Sequence, residues 1–159
     1  MKPTLLIVDD NEDLRAVAGE VLRSEGYRVH AVARAEAALR FLEEDGDDVD
    51  LVLTNAFLPG MTGIDLADRL RAQGRTLRIV LSSSQATEPE LQRRLARGDV
   101  EFLPRPFSLD RLTDKVSRSL RDPEPRVTLP EDSPPEDVPG SSPVSGGFFR
   151  RLLDRHAGS

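Results

Sequence analysis

Five polar positions in this 159-residue chain could do chemistry together: Asp9, Asp10, Asn55, Ser82 and Arg105. Adjacent carboxylates can hold a hard cation through oxygen or pair with a planar guanidinium fork. Asn55 carries a carboxamide, which is uncharged and far less nucleophilic than a carboxylate of the same shape. Each position also has a plainer reading. The two aspartates could form a solvated turn in which Asp10 or Asn11 caps a helix. Asn55 could be an ordinary turn residue, and Ser82-Ser83-Ser84 could be loop. The choice depends on whether the chain brings all five to one place.

The elements that would position them alternate. Thr4 to Val8 is an apolar run of strand length, and Leu14, Val17, Ala18, Val21 and Leu22 follow at helical spacing until Gly26. Tyr27 to Val32 reads as a second strand, and Ala35, Ala38, Leu39 and Leu42 as a short helix ending before Glu43-Glu44-Asp45-Gly46. Leu51 to Thr54 is the third strand. After it, Pro59 and Gly60 make a turn, and a helix with Ile64, Ala67, Leu70 and Arg71 runs to Gly74. Arg78 to Leu81 and Glu101 to Leu103 are strands four and five, with a helix around Glu90 to Arg97 between them. Ser108 reads as the N-cap of a last helix that carries Asp110 in its first turn and Arg118 and Arg121 in its last.

Strands and helices in alternation predict an α/β fold with a five-stranded parallel sheet and helices on both faces; right-handed crossovers with one reversal of winding between strands one and three make it doubly wound, flavodoxin-like with order 2-1-3-4-5. Such sheets carry their sites at the carboxyl ends of the strands. Asp9 and Asp10 then follow strand one, Asn55 strand three, Ser82 strand four and Arg105 strand five, so all five meet at one rim.

Composition limits the rest. At 38% hydrophobic and 31% charged, the chain suits one domain of ordinary size. It has no cysteine, so it has neither a disulfide framework nor a thiolate metal site. The start, MKPTLLIVDD, has too few apolar residues for a signal peptide or a spanning helix, and a cytoplasmic protein is expected. Residues 1–122 hold 18 Lys/Arg against 22 Asp/Glu, and this mildly acidic balance argues against nucleic acid as a partner. His30 and His156 have no neighbouring Cys or second His in sequence and are not expected to bind metal.

Seven of the twelve prolines follow residue 122. The expected organisation is a folded unit over residues 1–121, a Pro/Ser/acidic disordered linker over 122–147, and a short basic amphipathic segment over 148–159. In that segment Phe148, Phe149, Leu152 and Leu153 could share a helical face beside Arg150 and Arg151. It is too short to be stably helical alone, but it could fold into a groove on a partner. Contact with a membrane is not expected.

Residues 1–121 resemble the receiver domain of the bacterial response regulators. In that family an acidic pair after strand one holds Mg²⁺, and an aspartate after strand three accepts a phosphoryl group from a histidine kinase. A Ser/Thr after strand four and a Lys-Pro after strand five complete the site. Asp9 and Asp10 match the acidic pair, Pro59-Gly60 the turn, Ser82 the hydroxyl and Phe102 the switching aromatic; Pro106 matches the proline, whose preceding bond is cis in the family. Two positions depart from the pattern: Asn55 stands where the acceptor aspartate would be, and Arg105 where the lysine would be. The resemblance therefore implies an atypical receiver in which Asn55 is not phosphorylated and no cofactor is required. Mg²⁺ would be held at most weakly, by Asp9 and Asp10. Arg105 is expected to pair with one of these aspartates and supply charge in the metal's stead. Phe102 lacks a hydroxyl and is expected to stay in the core.

The expected function is that of a single-domain, phosphorylation-independent protein-interaction module in signal transduction, a monomer or weak homodimer, and not an enzyme. Partners would dock on the face made by the fourth helix, fifth strand and fifth helix, or on the segment Phe148–Leu153. The alternatives are phosphorylation on a neighbouring group such as Ser82 or Thr54, or a phosphatase of the haloacid dehalogenase class. The latter needs acids spaced by one residue, whereas Asp9 and Asp10 are adjacent.

Overall fold

The computed structural model describes residues 2–46 and 48–121. The expected linker over 122–147 and the segment over 148–159 lie outside the described residues. In chain order the elements are β1 (Thr4–Val8), α1 (Glu12–Ser24), β2 (Arg28–Val32), α2 (Ala35–Asp45), β3 (Leu51–Asn55), α3 (Gly63–Ala72), β4 (Arg78–Ser83), α4 (Pro89–Ala96), β5 (Glu101–Pro104) and α5 (Leu109–Arg121). The five strands pair in parallel in the order β2-β1-β3-β4-β5, which is the doubly wound arrangement.

Strand side chains alternate between the two faces, and each face has its own core. Leu5, Ile7, Leu51, Leu53, Val80 and Leu103 pack against Ala18 and Leu22 of α1 and Leu112 and Val116 of α5. Leu6, Val8, Val52, Ile79, Leu81 and Phe102 point the other way, onto α2, α3 and α4. Such two-sided burial explains why the strands read as unbroken apolar runs. Complete burial of each large side chain is worth about 1.5–3 kcal/mol, so the sheet order is strongly specified. Among the described residues no helix is long and apolar enough to cross a membrane.

Three details differ from the sequence reading. α2 continues through Glu43, Glu44 and Asp45 and stops only at Gly46, because exposed glutamates are good helix formers that an apolar pattern overlooks. Tyr27 precedes β2: its N–H bonds Leu22 O at 3.2 Å and that of Gly26 bonds Arg23 O at 3.0 Å, a Schellman end for α1 with Gly26 at φ 101°. β3, β4 and β5 each run past their last apolar residue, so Asn55 and Ser82 belong to strands rather than to loops.

Local capping sets where the helices begin, and so where the rim lies. Asn11, not Asp10, caps α1 by accepting from Leu14 N at 3.0 Å. Thr62 and Asp65 form a reciprocal capping box on α3. Ser108 Oγ accepts from Arg111 N at 3.1 Å at the start of α5.

Candidate functional site

Strand register brings the polar residues to one edge. Val8 pairs with Thr54, Asn55 with Ser82, and Ser83 with Pro104, so the residues that follow β1 and those that end β3, β4 and β5 lie side by side. Asp9 is buried. Its Oδ1 accepts the N–H of Asn11 at 2.9 Å, and its Oδ2 is paired with Nη2 of Arg105. The same guanidinium donates through Nε to Ser82 Oγ at 2.9 Å. Arg105 therefore ties the end of β1 to the end of β4 with the directional fork that lysine lacks. Its backbone N–H bonds Ser83 O at 3.0 Å, its side chain lies 5.9 Å from the Phe107 ring centre, and the Arg105–Pro106 bond is cis. On the far side of the aspartate, Arg15 Nη1 donates to Asp9 O at 2.8 Å.

Asn55 uses both ends of its amide. Oδ1 accepts from Phe57 N at 3.1 Å, and Nδ2 donates to Asp10 Oδ1 at 3.4 Å. A carboxylate could keep the first contact but would turn the second into a repulsion. Thr54 and Ser82 are fully buried, and the Thr54 hydroxyl donates to Asn55 O at 3.0 Å. Phe102 is buried within the α2/α3/α4 core.

A resident Mg²⁺, implied by the resemblance, is poorly matched by these side chains. Both oxygens of Asp9 are engaged, one by a cation; Asn55 offers a neutral oxygen already holding an N–H; only the exposed Asp10 adds a second carboxylate. Among the described residues no group of three or more His, Cys, Asp or Glu could hold a metal ion.

Sequence reasoning missed three supporting features. Gly63 opens α3 so close to β3 that a Cβ would lie 2.1 Å from Asn55 O, so only glycine allows this approach. Glu36, at the start of α2, accepts Met61 N at 3.3 Å and braces the loop after Asn55. Bonds from its own backbone N–H and then from that of Met61 hold its pKa below the ordinary 4.5. The third feature is an ionic cluster beneath α4. Buried Arg94 pairs through both terminal nitrogens with Asp99 and through Nε with Asp68 Oδ1 at 2.5 Å. Arg71 joins it, with Nη2 donating to Asp99 O at 2.6 Å and Nη1 to Leu77 O at 2.7 Å, while its Nε lies 3.6 Å from Asp99 Oδ2 without a hydrogen bond. Burial opposes the charge on both arginines. On Arg94 the two aspartates outweigh it and the pKa rises; on Arg71 burial prevails, with Arg94 adding repulsion, and the pKa falls. The signal for Arg94 was its spacing, since Leu91, Arg94 and Leu95 share the inward face of α4.

Residues 5–117 match the family model described as the response regulator receiver domain. The chain is 33% identical to the DNA-binding transcriptional regulator NtrC of Azospirillum brasilense over 94% of its own length, spanning 31% of that relative. It is 28% identical to sporulation initiation phosphotransferase F of Bacillus subtilis, over 76% of this chain and 95% of that one. The crystal structure of the receiver domain of the hybrid histidine kinase CckA superposes with a TM-score of 0.63 at 30% identity, covering 74% of this chain and 99% of that domain. The chain thus spans about a third of the first curated relatives it matches. With the sheet order, the rim and the family match in agreement, this chain belongs to the response regulator receiver domain family.

Proposed function

We propose that this receiver acts as a protein-interaction module whose working state does not depend on phosphoryl transfer to position 55. The observation that carries the reading is the Asn55 amide, neutral and engaged at both ends, beside an aspartate already neutralised by Arg105. A carboxamide does not form the acyl phosphate that a carboxylate forms. Ser82 and Thr54, the neighbouring hydroxyls, are buried and hydrogen-bonded, which speaks against their serving as substitute acceptors. Nothing favours a phosphatase of the haloacid dehalogenase class.

Arg105 supplies the positive charge in the acidic pocket, and Mg²⁺ is not required. Partner proteins dock on the α4–β5–α5 face or on residues 148–153. That face is held by ion pairs such as Lys115 with Glu101 at 3.5 Å and by the Arg94 cluster behind it. Incubation with a small acyl phosphate and Mg²⁺, followed by intact mass measurement, tests the reading. The mass is expected to stay unchanged, and a stable phosphoryl adduct on this chain overturns the proposal.

A further inference from the structure

The helix pair on the opposite side of the sheet from α4 leaves a charged groove that neither the rim site nor the α4–β5–α5 face uses. Between the end of α1 and the length of α5 lies a cavity of about 600 Å³ lined by Glu25, Tyr27, Asp110, Arg111, Asp114 and Ser117. Three carboxylates face one guanidinium there. The Glu25 and Asp110 carboxylates have no hydrogen-bond or ion-pair partner among the described residues, and Asp114 has only the exposed Arg118 at 3.1 Å. The floor is the half-buried ring of Tyr27, which packs on the α1/α5 core.

The complementary charge is in the same chain. Residues 148–155, FFRRLLDR, carry three arginines against one aspartate, with two phenylalanines and two leucines between them. Arg121 ends α5, the helix that forms one wall, and 26 residues separate it from Phe148. Random-coil dimensions for a chain of that length give a root-mean-square reach of roughly 30 Å. Asp114 and Ser117 lie only about 6–10 Å back along the helix from Arg121. A segment joined to the groove through that length of chain would have an effective concentration there in the millimolar range, where even individually weak contacts are populated.

We infer that residues 148–155 dock in the α1/α5 groove of their own chain, with Arg150, Arg151 and Arg155 on Glu25, Asp110 and Asp114 and the phenylalanines against Tyr27. The docked segment is withheld from other partners, and a protein that competes for the groove or for the segment releases it. This inference does not rest on the reading of Asn55.

The chain supplies its own reporter: Tyr27 is the only tyrosine and there is no tryptophan, so ultraviolet emission comes from the groove floor. In the full chain, acrylamide quenching of Tyr27 is expected to rise by about twofold when Arg150, Arg151 and Arg155 are all replaced by Glu, as docking at millimolar effective concentration predicts. It should rise likewise in the wild-type chain at high salt. Combining the reversed segment with Glu25→Arg and Asp110→Arg is expected to restore protection. All replaced residues are surface or tail positions, and circular dichroism checks that each variant stays folded. Equal quenching in the wild-type and reversed chains overturns the inference. So does protection that grows with protein concentration, which would place the segment in the groove of a second copy.

Discussion

Replacing Asn55 by aspartate puts a third carboxylate at the rim, and the surroundings set what that should cost. Nδ2 of Asn55 now lies 3.4 Å from Asp10 Oδ1. Two carboxylates at that distance repel by about 1 kcal/mol in a water-like dielectric, and by several times that if the site is drier. Asp10 is exposed, so the lower figure applies. Loss of the amide's N–H donor adds about 0.5–1 kcal/mol. The variant Asn55→Asp is therefore expected to be destabilised by about 1–2 kcal/mol without divalent cations, which lowers Tm by about 4–8 °C for a domain of this size. A third carboxylate at the rim also supplies the ligand that Mg²⁺ lacks in the natural sequence. If Mg²⁺ then binds with a Kd near 1 mM, 10 mM of the salt returns about 1.4 kcal/mol. Thermal melts in chelator and in Mg²⁺, at matched ionic strength, read both effects. The natural chain should show no specific Mg²⁺ shift. A natural chain stabilised by Mg²⁺ as much as the variant, or a variant no less stable in chelator, refutes the electrostatic account. Phosphorylation of the variant by an acyl phosphate would trace the proposed inertness of the natural chain to the nucleophile alone; continued inertness would trace it to Arg105 or the remodelled pocket.

The Arg94 cluster gives a second test: Arg94→Met removes both hydrogen bonds to the buried Asp99 carboxylate, leaving it only Arg71 at 3.6 Å, and is expected to cost about 3 kcal/mol by urea unfolding, whereas adding Asp99→Asn should recover part of it. An exposed pair is the control, and Arg118→Ala should cost under about 0.5 kcal/mol. Gly63→Ala forces a methyl onto Asn55 O and is expected to destabilise by about 1–3 kcal/mol, read in the same assay. Because the Glu36 pKa is lowered in the folded chain, its hold on Met61 is present above about pH 4.5 and is lost as pH falls through the lower folded value. The protection of the Met61 amide against hydrogen exchange, relative to its intrinsic rate at each pH, should therefore fall on acidification in the natural chain, and the Glu36→Gln variant should show no such fall. Finally, Arg105→Lys should unsettle Ser82 and Asp9 in the natural chain, and in the Asn55→Asp background its effect should differ by more than about 0.5 kcal/mol, since both positions act on one charge set.

Much of the architecture was legible because it follows from burial. Strands covered on both faces leave continuous apolar runs, and glycines at φ 101°, 79° and 81° mark the ends of α1, α3 and α4. The reading failed where backbone order outlasts side-chain hydrophobicity. Asn55, Ser82, Ser83 and Pro104 stay in strands because neighbouring strands supply ladder partners, such as Ala56 N bonding Ser82 O at 2.8 Å. The identities of the rim residues were legible from their position after each strand; the brace around them was not. Asp68 and Arg94 are 26 positions apart, and Glu36 and Met61 25, and nothing local announces such pairings. Only the inward phase of Arg94 on α4 could have pointed to a buried charge seeking a partner.

On the proposed reading, Asn55 and Arg105 make more sense as one unit than as two separate features. A rim with three carboxylates needs more positive charge than one side chain provides, which is the situation a divalent cation relieves. With an amide at position 55 that excess is absent, and Nδ2 makes a donor contact with Asp10 where a carboxylate would repel it. What remains is a buried Asp9 that must be paired at short range. A guanidinium does this better than an ammonium because it can hold Asp9 and Ser82 through separate nitrogens at once. Either residue without the other would leave the rim overcharged or its hydroxyl less firmly held. Together they link the ends of β1, β3, β4 and β5 through the chain's own side chains.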